Sequence, residues 1–168
     1  LTRICDVAGG RGALLAEILR RHPRARGVLF DAPRVVGDAS DLLARRGVAE
    51  RVTCVGGDFF EAVPEGCDAY LLHDILHDWD DEACLRILAS CRRAAPAGAR
   101  LLVAEILVER ARATSPGVLA DVQMMVICRG GRQRSAGEHR ALLARAGFRP
   151  GRVVGLAGLT SLVEGIAG

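Results

Sequence analysis

Residues 3–31, RICDVAGGRGALLAEILRRHPRARGVLFD, carry the pattern that decides the fold. An apolar run, Arg3–Val7, meets the loop Ala8-Gly9-Gly10-Arg11-Gly12, helical periodicity follows over Ala13–His22, and a second apolar run, Val28–Asp31, ends on a carboxylate. Two strands joined through a helix must run parallel, because only a crossover of this length brings the chain back to the starting edge. The alternation continues. Strands are predicted over Val52–Val55, Asp68–Leu72, Leu101–Ile106, Arg152–Leu156 and Ser161–Ile166, and helices over Val35–Arg46, Asp80–Ala95, Val118–Cys128 and Ala136–Ala146. The clearest helix is Asp80–Ala95, where Cys84, Leu88, Cys91 and Ala95 recur on one face before Pro96 and Gly98 end it. Residues 110–117, with Ser115-Pro116-Gly117, read as a loop. The expected fold is α/β, a seven-stranded, mostly parallel sheet with helices on both faces.

Half of the 168 residues are hydrophobic, enough for one sizeable core, and no composition shift divides residues 1–168 into two domains. The formal charge is only +3, with both signs dispersed, which favours neither a nucleic-acid partner nor a membrane surface. No apolar stretch approaches the roughly 18 residues that a membrane helix needs. The six cysteines form no C-x-x-C pair and read as buried thiols of a reducing, cytoplasmic compartment. The sequence opens on Leu1, with a strand beginning almost at once, and so reads as cut from a longer chain.

In an open parallel sheet, ligands bind beyond the carboxyl ends of the strands. Five strands deliver a polar group there: Asp6 with the glycine loop, Asp31, Gly57-Asp58, His73 and Glu105. Any one of the four carboxylates alone is explained as a turn former or helix cap; the set of five polar groups is not. The loop lacks the third glycine of the dinucleotide fingerprint, and Asp31 suits the ribose of either a nicotinamide or an adenosylmethionine. Asp58, followed by Phe59-Phe60, suits an adenine edge and face. In the segment His73-Asp74-Ile75-Leu76-His77-Asp78-Trp79, two histidines four apart could bind a metal, but no third ligand is evident. No metal is therefore expected. A histidine near a carboxylate is equipped as a general base, the plainer alternative being an exposed residue of a helix cap.

Together these segments resemble the catalytic domain of the caffeic-acid and hydroxyindole type of S-adenosylmethionine-dependent O-methyltransferase, plant and bacterial. The motifs span nearly the whole chain: Asp6-Val7-Ala8-Gly9-Gly10-Arg11-Gly12, Phe30-Asp31-Ala32-Pro33, Gly57-Asp58-Phe59-Phe60, residues 76–82, Glu105-Ile106-Leu107, residues 121–125 and residues 130–135. The resemblance implies a Rossmann-like class I methyltransferase of secondary metabolism. S-adenosyl-L-methionine would be held by Asp6, Ala8, Gly9, Gly10, Gly12, Asp31, Asp58, Phe59, His73 and Trp79. It further implies His77 as base with Glu105 and Gln133 beside it, and Asp78, Asp121, Met124 and Met125 around a small hydroxylated, aromatic acceptor. Core packing explains the two methionines equally well. An N-terminal helical domain would complete the acceptor pocket and make the full-length protein a homodimer, leaving this fragment a monomer of low turnover.

Three positions depart from the family. Ala8 replaces the first loop glycine, His73 replaces a frequent lysine, and Gln133 replaces a second carboxylate. The last keeps open a member that binds the donor without transferring methyl. A nicotinamide dehydrogenase is permitted by the loop but leaves Asp58 and the His77 segment unexplained. A nucleic-acid binder using residues 129–134 would find few stacking aromatics in the chain, and that stretch reads as a solvated loop.

Overall fold

The computed structural model describes residues 2–108, 116–128, 130–156 and 158–168, with only the backbone of Met125. Among these residues seven strands form one sheet in the order β3-β2-β1-β4-β5-β7-β6. They are β1 (Arg3–Val7), β2 (Arg26–Asp31), β3 (Val52–Gly56), β4 (Ala69–His73), β5 (Arg100–Ile106), β6 (Phe148–Gly155) and β7 (Thr160–Ala167). β1 to β5 pair in parallel, and β7 runs antiparallel to both β5 and β6. The chain leaves β1 toward β3, then returns to place β4 on the other side of β1. Ligand crevices open at such a reversal of strand order, outside the carboxyl ends.

The period of two along each strand divides the core. Cys5 and Val7 of β1, with Val28 and Phe30 of β2, face one layer, packed with Ile87, Leu88 and Cys91 of α4 (Asp81–Ala94) and Leu142 and Leu143 of α6 (Ala136–Arg145). Ile4 and Leu29, the alternate positions, face Leu15, Ala16 and Leu19 of α1 (Ala13–Arg21) and Leu43 of α3 (Ser40–Arg45). Both faces are covered, as the alternation predicts. Asp80 caps α4 by accepting the Ala83 amide at 2.8 Å, and Ser135 and Glu138 form a reciprocal capping box on α6.

Several boundaries differ from expectation. The helix predicted over Val35–Arg46 is two short ones, α2 (Pro33–Val36) and α3, separated around Gly37, whose backbone freedom makes a continuous helix expensive. Pro116 and Gly117 open α5 (Pro116–Ile127), Pro116 standing where a missing N–H costs nothing. The rest of that predicted loop, residues 110–115, lies outside the described residues. The last two strands form a longer hairpin than predicted, because Pro150 and Gly151 sit at a register shift. Four cysteines are buried, but Cys54 is exposed on the edge strand β3 and Cys128 is half-buried. Among the described residues, no helix is long and apolar enough to cross a membrane.

Candidate active site

The glycine loop leaves β1 under unusual constraint. Gly9 lies so close to the end of β1 that a Cβ there would stand 2.5 Å from Asp6 Cγ and 2.7 Å from Leu29 Cδ1. Ala8 has φ 58°, a left-handed conformation that costs any residue with a Cβ, so the departure from glycine carries backbone strain as well as an added methyl. The Gly10 amide donates to Asp31 Oδ2 at 2.8 Å, and Asp31 Oδ1 accepts from its neighbour Ala32 at 2.7 Å. One carboxylate thus ties the first loop to the end of β2.

Beneath this loop Asp6 is 2% exposed, and its Oδ2 has no hydrogen-bond partner among the described residues. Burial, with Asp31 nearby, pushes its carboxyl up to about 7. Between the usual 3.8 and that value, the folded state holds a proton that the unfolded chain has released, so stability falls as pH rises across this window. Asp6→Asn removes the titration. Urea unfolding should show the variant gaining on the wild type by about 1 kcal/mol per pH unit from roughly pH 4 to 7; a difference that does not change with pH would contradict the buried, protonated carboxyl.

Past the loop, Phe30, Asp31, Pro33, Asp58, Phe59 and Trp79 line a cavity of about 550 Å³. Trp79 meets Phe60 edge to face at 4.8 Å and Phe59 at 6.0 Å, and the Arg86 guanidinium covers Phe60 at 4.7 Å. Asp58 turns back to accept the Phe60 amide at 2.8 Å, which fixes the aromatic pair to the end of β3. Of the predicted donor residues, the structure brings Asp31, Asp58, Phe59 and Trp79 to one cavity and hangs the glycine loop on Asp31. His73 stands elsewhere: it lines a groove with Leu14 and Ile18 of α1 and Leu162 of β7, 3.4 Å from Asp74.

The base candidate follows β4 on a single 3-10 turn, Leu76–Asp78. His77 Nδ1 lies 2.6 Å from Glu105 Oε2, and Glu105 is fully buried near the end of β5. Glu105 Oε1 accepts the amides of Ile75 and Leu76 at 3.1 and 2.8 Å. A carboxylate accepting from amides also accepts from the imidazole, which places the proton on Nδ1 and the lone pair on Nε2. Nε2 is 3.5 Å from Asp78 Oδ1. The hydrogen bond to Glu105 raises the His77 pKa above its ordinary 6.5, its charge and those of Asp78 and Asp74 adding to this while burial opposes it.

The remaining candidates are placed more loosely. Gln133 is buried, but its Oε1 has no partner among the described residues, and its backbone amide donates to Asp121 Oδ1 at 2.8 Å. Asp121 therefore braces the segment after α5. Met124 is half-buried on α5, and the Met125 side chain lies outside the described residues. Asp78 accepts from Cys128 Sγ at 3.1 Å. A third potential metal ligand, unforeseen in the sequence, does appear: atoms of Asp74, His77 and Glu105 lie within 4.8 Å of one another. A cation there would compete with the amide and imidazole hydrogens that already occupy Glu105.

Sequence reasoning missed Arg134. The stretch read as a solvated loop instead buries this side chain completely, with Nη1 donating to Leu76 O and Nη2 to Trp79 O, each at 2.7 Å. Arg132 pairs with Asp81 and Glu138. Only the position of Arg134 just ahead of the capping residue Ser135 hints at this, and periodicity gives no cue in an irregular segment.

Residues 1–149 match the O-methyltransferase domain family. A 3-amino-4-hydroxybenzoate 4-O-methyltransferase of Streptomyces cremeus is 51% identical over 146 residues, covering 87% of this chain and 40% of that protein. A methyltransferase of calicheamicin biosynthesis, solved in its SAH-bound form, superposes with TM-score 0.90 at 40% identity over 99% of this chain and 49% of that one. Human N-acetylserotonin methyltransferase, solved in complex with SAM, gives TM-score 0.89 at 30% identity, with coverages of 99% and 47%. The chain spans 40% to 47% of the length of the curated relatives it matches. With the sheet order, the loop held on Asp31 and the imidazole held on Glu105, this match is decisive: the chain belongs to the O-methyltransferase domain family of S-adenosylmethionine-dependent, small-molecule methyltransferases.

Proposed function

We propose that this chain binds S-adenosylmethionine in the cavity at the ends of β2 and β3, beside the glycine loop that Asp31 holds, and directs its methyl group to the hydroxyl of a small aromatic acceptor, with His77 as the base. The observation that carries the reading is the His77–Glu105 pair at 2.6 Å, two residues along the chain from Trp79 in the cavity wall. Fit to the donor rests on the chain itself. A Cβ at Gly9 would fill the cradle over Asp6, the Asp6 Oδ2 atom beneath it has no partner among the described residues, and Asp31 and Asp58 face the cavity where ribose hydroxyls and an adenine amino group would need acceptors.

When bound, the donor supplies a methyl group on a positively charged sulfur that leaves as a neutral thioether. The protein's part is alignment and proton removal. A phenol of pKa about 10 gives up its proton to Nε2 as its oxygen attacks, because a free histidine near 6.5 is too weak to remove it beforehand. Nδ1–H stays on Glu105, whose charge stabilises the imidazolium that forms. Because the Streptomyces cremeus relative is named for 3-amino-4-hydroxybenzoate, that compound is the first acceptor to try.

Donor binding can be tested without an acceptor. Each charge-assisted bond from Asp31 is worth about 1.5 to 3 kcal/mol, so Asp31→Ala should weaken binding by roughly 10- to 100-fold in calorimetry. Unchanged affinity in that variant would remove Asp31 from the donor site and the cavity from consideration.

A further inference from the structure

The turn that carries His77 has little to hold it in place by itself. Its internal hydrogen bonds are long, Asp78 N to Ile75 O at 3.2 Å and Trp79 N to Leu76 O at 3.3 Å, and one 3-10 turn has no neighbouring turns to cooperate with. Asp74, just before it, takes φ 55°, a conformation that persists only when the surroundings impose it. The orientation of the imidazole is therefore set from outside the turn. On its amide side Glu105 accepts from Ile75 and Leu76. On its carbonyl side stands Arg134.

We propose that Arg134 is a positioning residue for proton transfer: from the segment ahead of α6, its guanidinium holds the carbonyls of Leu76 and Trp79, which bracket His77, so that Glu105 and Arg134 clamp the turn from opposite ends. The geometry is specific. Nη1 reaches Leu76 O and Nη2 reaches Trp79 O, both at 2.7 Å, while Nε and Nη2 also meet Asp81 Oδ1 at 2.9 and 2.7 Å. A planar fork makes these contacts together, and an ammonium on a flexible stem cannot. The approach is close enough to require Gly131, where a Cβ would stand 2.6 Å from His77 O. A fully buried cation is a costly way merely to pin a loop, since apolar residues of similar volume often serve as well or better. What the guanidinium adds is direction.

The inference rests on His77 being the base, and its test separates the two. The chain has four histidines, His22, His73, His77 and His139, so their ring titrations can be assigned individually by NMR. The charged groups around His77 are Glu105 from β5, Asp74 from the β4 end and Asp78 on the turn. Behind them, on the Arg134 side, lie Asp81, Arg132 and Glu138, and His139, which burial holds down at about 4. Arg134→Lys and Arg134→Gln should let the turn drift from Glu105 and so move the His77 midpoint down toward that of a free histidine. Single-turnover methyl transfer should fall by about 10- to 100-fold, the cost of misplacing a reacting group by about an ångström. Leu19→Ala, a core substitution on the opposite face of the sheet, should lower the melting temperature and leave the His77 midpoint alone. If Arg134→Gln does not fold, Arg134→Lys and Asp81→Asn, which loosens the guanidinium from its half-exposed partner, should give the same downward movement in smaller measure. A folded Arg134→Lys with the wild-type His77 midpoint would overturn the proposal, as would an equal movement in Leu19→Ala. A moved midpoint in a protein that methylates no acceptor would uphold the positioning role and count against the function.

Discussion

His77→Ala is expected to lower single-turnover methyl transfer by about 10² to 10⁴, the usual contribution of a general base. Donor affinity should be nearly unchanged. The side chain lost is the one whose Nε2 carries the lone pair, since Nδ1 donates to Glu105, and it is 15% exposed, open enough to meet an acceptor. The cavity-lining residues Asp31, Asp58 and Phe59 belong to other strand ends and keep their contacts. Calorimetry with the donor, alongside the rate, separates the two effects. A rate within a few-fold of wild type near neutral pH would reduce His77 to a structural residue.

Glu105→Gln is expected to be about as damaging, although it preserves size. In the wild type one carboxylate accepts from two amides through Oε1 and from Nδ1–H through Oε2. A glutamine has one acceptor oxygen. If its carbonyl keeps the two amides, its NH₂ faces Nδ1, which must then accept, and the ring proton moves to Nε2. The atom that should take the acceptor's proton is then already protonated. A comparable tautomer error in a serine protease triad costs about 10⁴ in rate, and a loss of roughly 10³ to 10⁴ is expected here. NMR of the His77 ring should show the exchange of tautomers directly. A variant that keeps the wild-type tautomer and rate would mean that Glu105 serves only the backbone of the turn.

The sequence was most legible where physics repeats. Alternation on β1 and β2 separates Ile4 and Leu29 from Cys5, Val28 and Phe30, and the two core layers follow from it. The carboxylates ending parallel strands are legible for the same reason, because topology gathers strand ends whatever lies between them; Asp31 and Asp58 meet at one cavity although 26 intervening residues separate them. Where a single residue overrides a pattern, the reading failed. Gly37 splits a helix whose periodicity continues across it, and Pro150 and Gly151 conceal a strand behind turn-forming residues. Arg134 was least legible of all. Its partners are backbone carbonyls of Leu76 and Trp79, which every residue possesses, so no side-chain pattern could announce them. Gln133 is legible as a departure but not as a contact, for its amide oxygen is buried without a partner among the described residues while its backbone amide donates to Asp121.

The pH dependence of single-turnover methyl transfer, measured beside the NMR titration of His77 in the same protein, tests the central claim most directly. Only the neutral imidazole can accept a proton, and its hydrogen bond to Glu105 raises the pH at which it becomes neutral. The rate should therefore rise with pH through a midpoint above about 6.5, coincident with the midpoint of His77, and this limb should be lost in His77→Ala. A rate that is flat across that range, or that rises at a pH where His77 does not titrate, would contradict the assignment of His77 as the base.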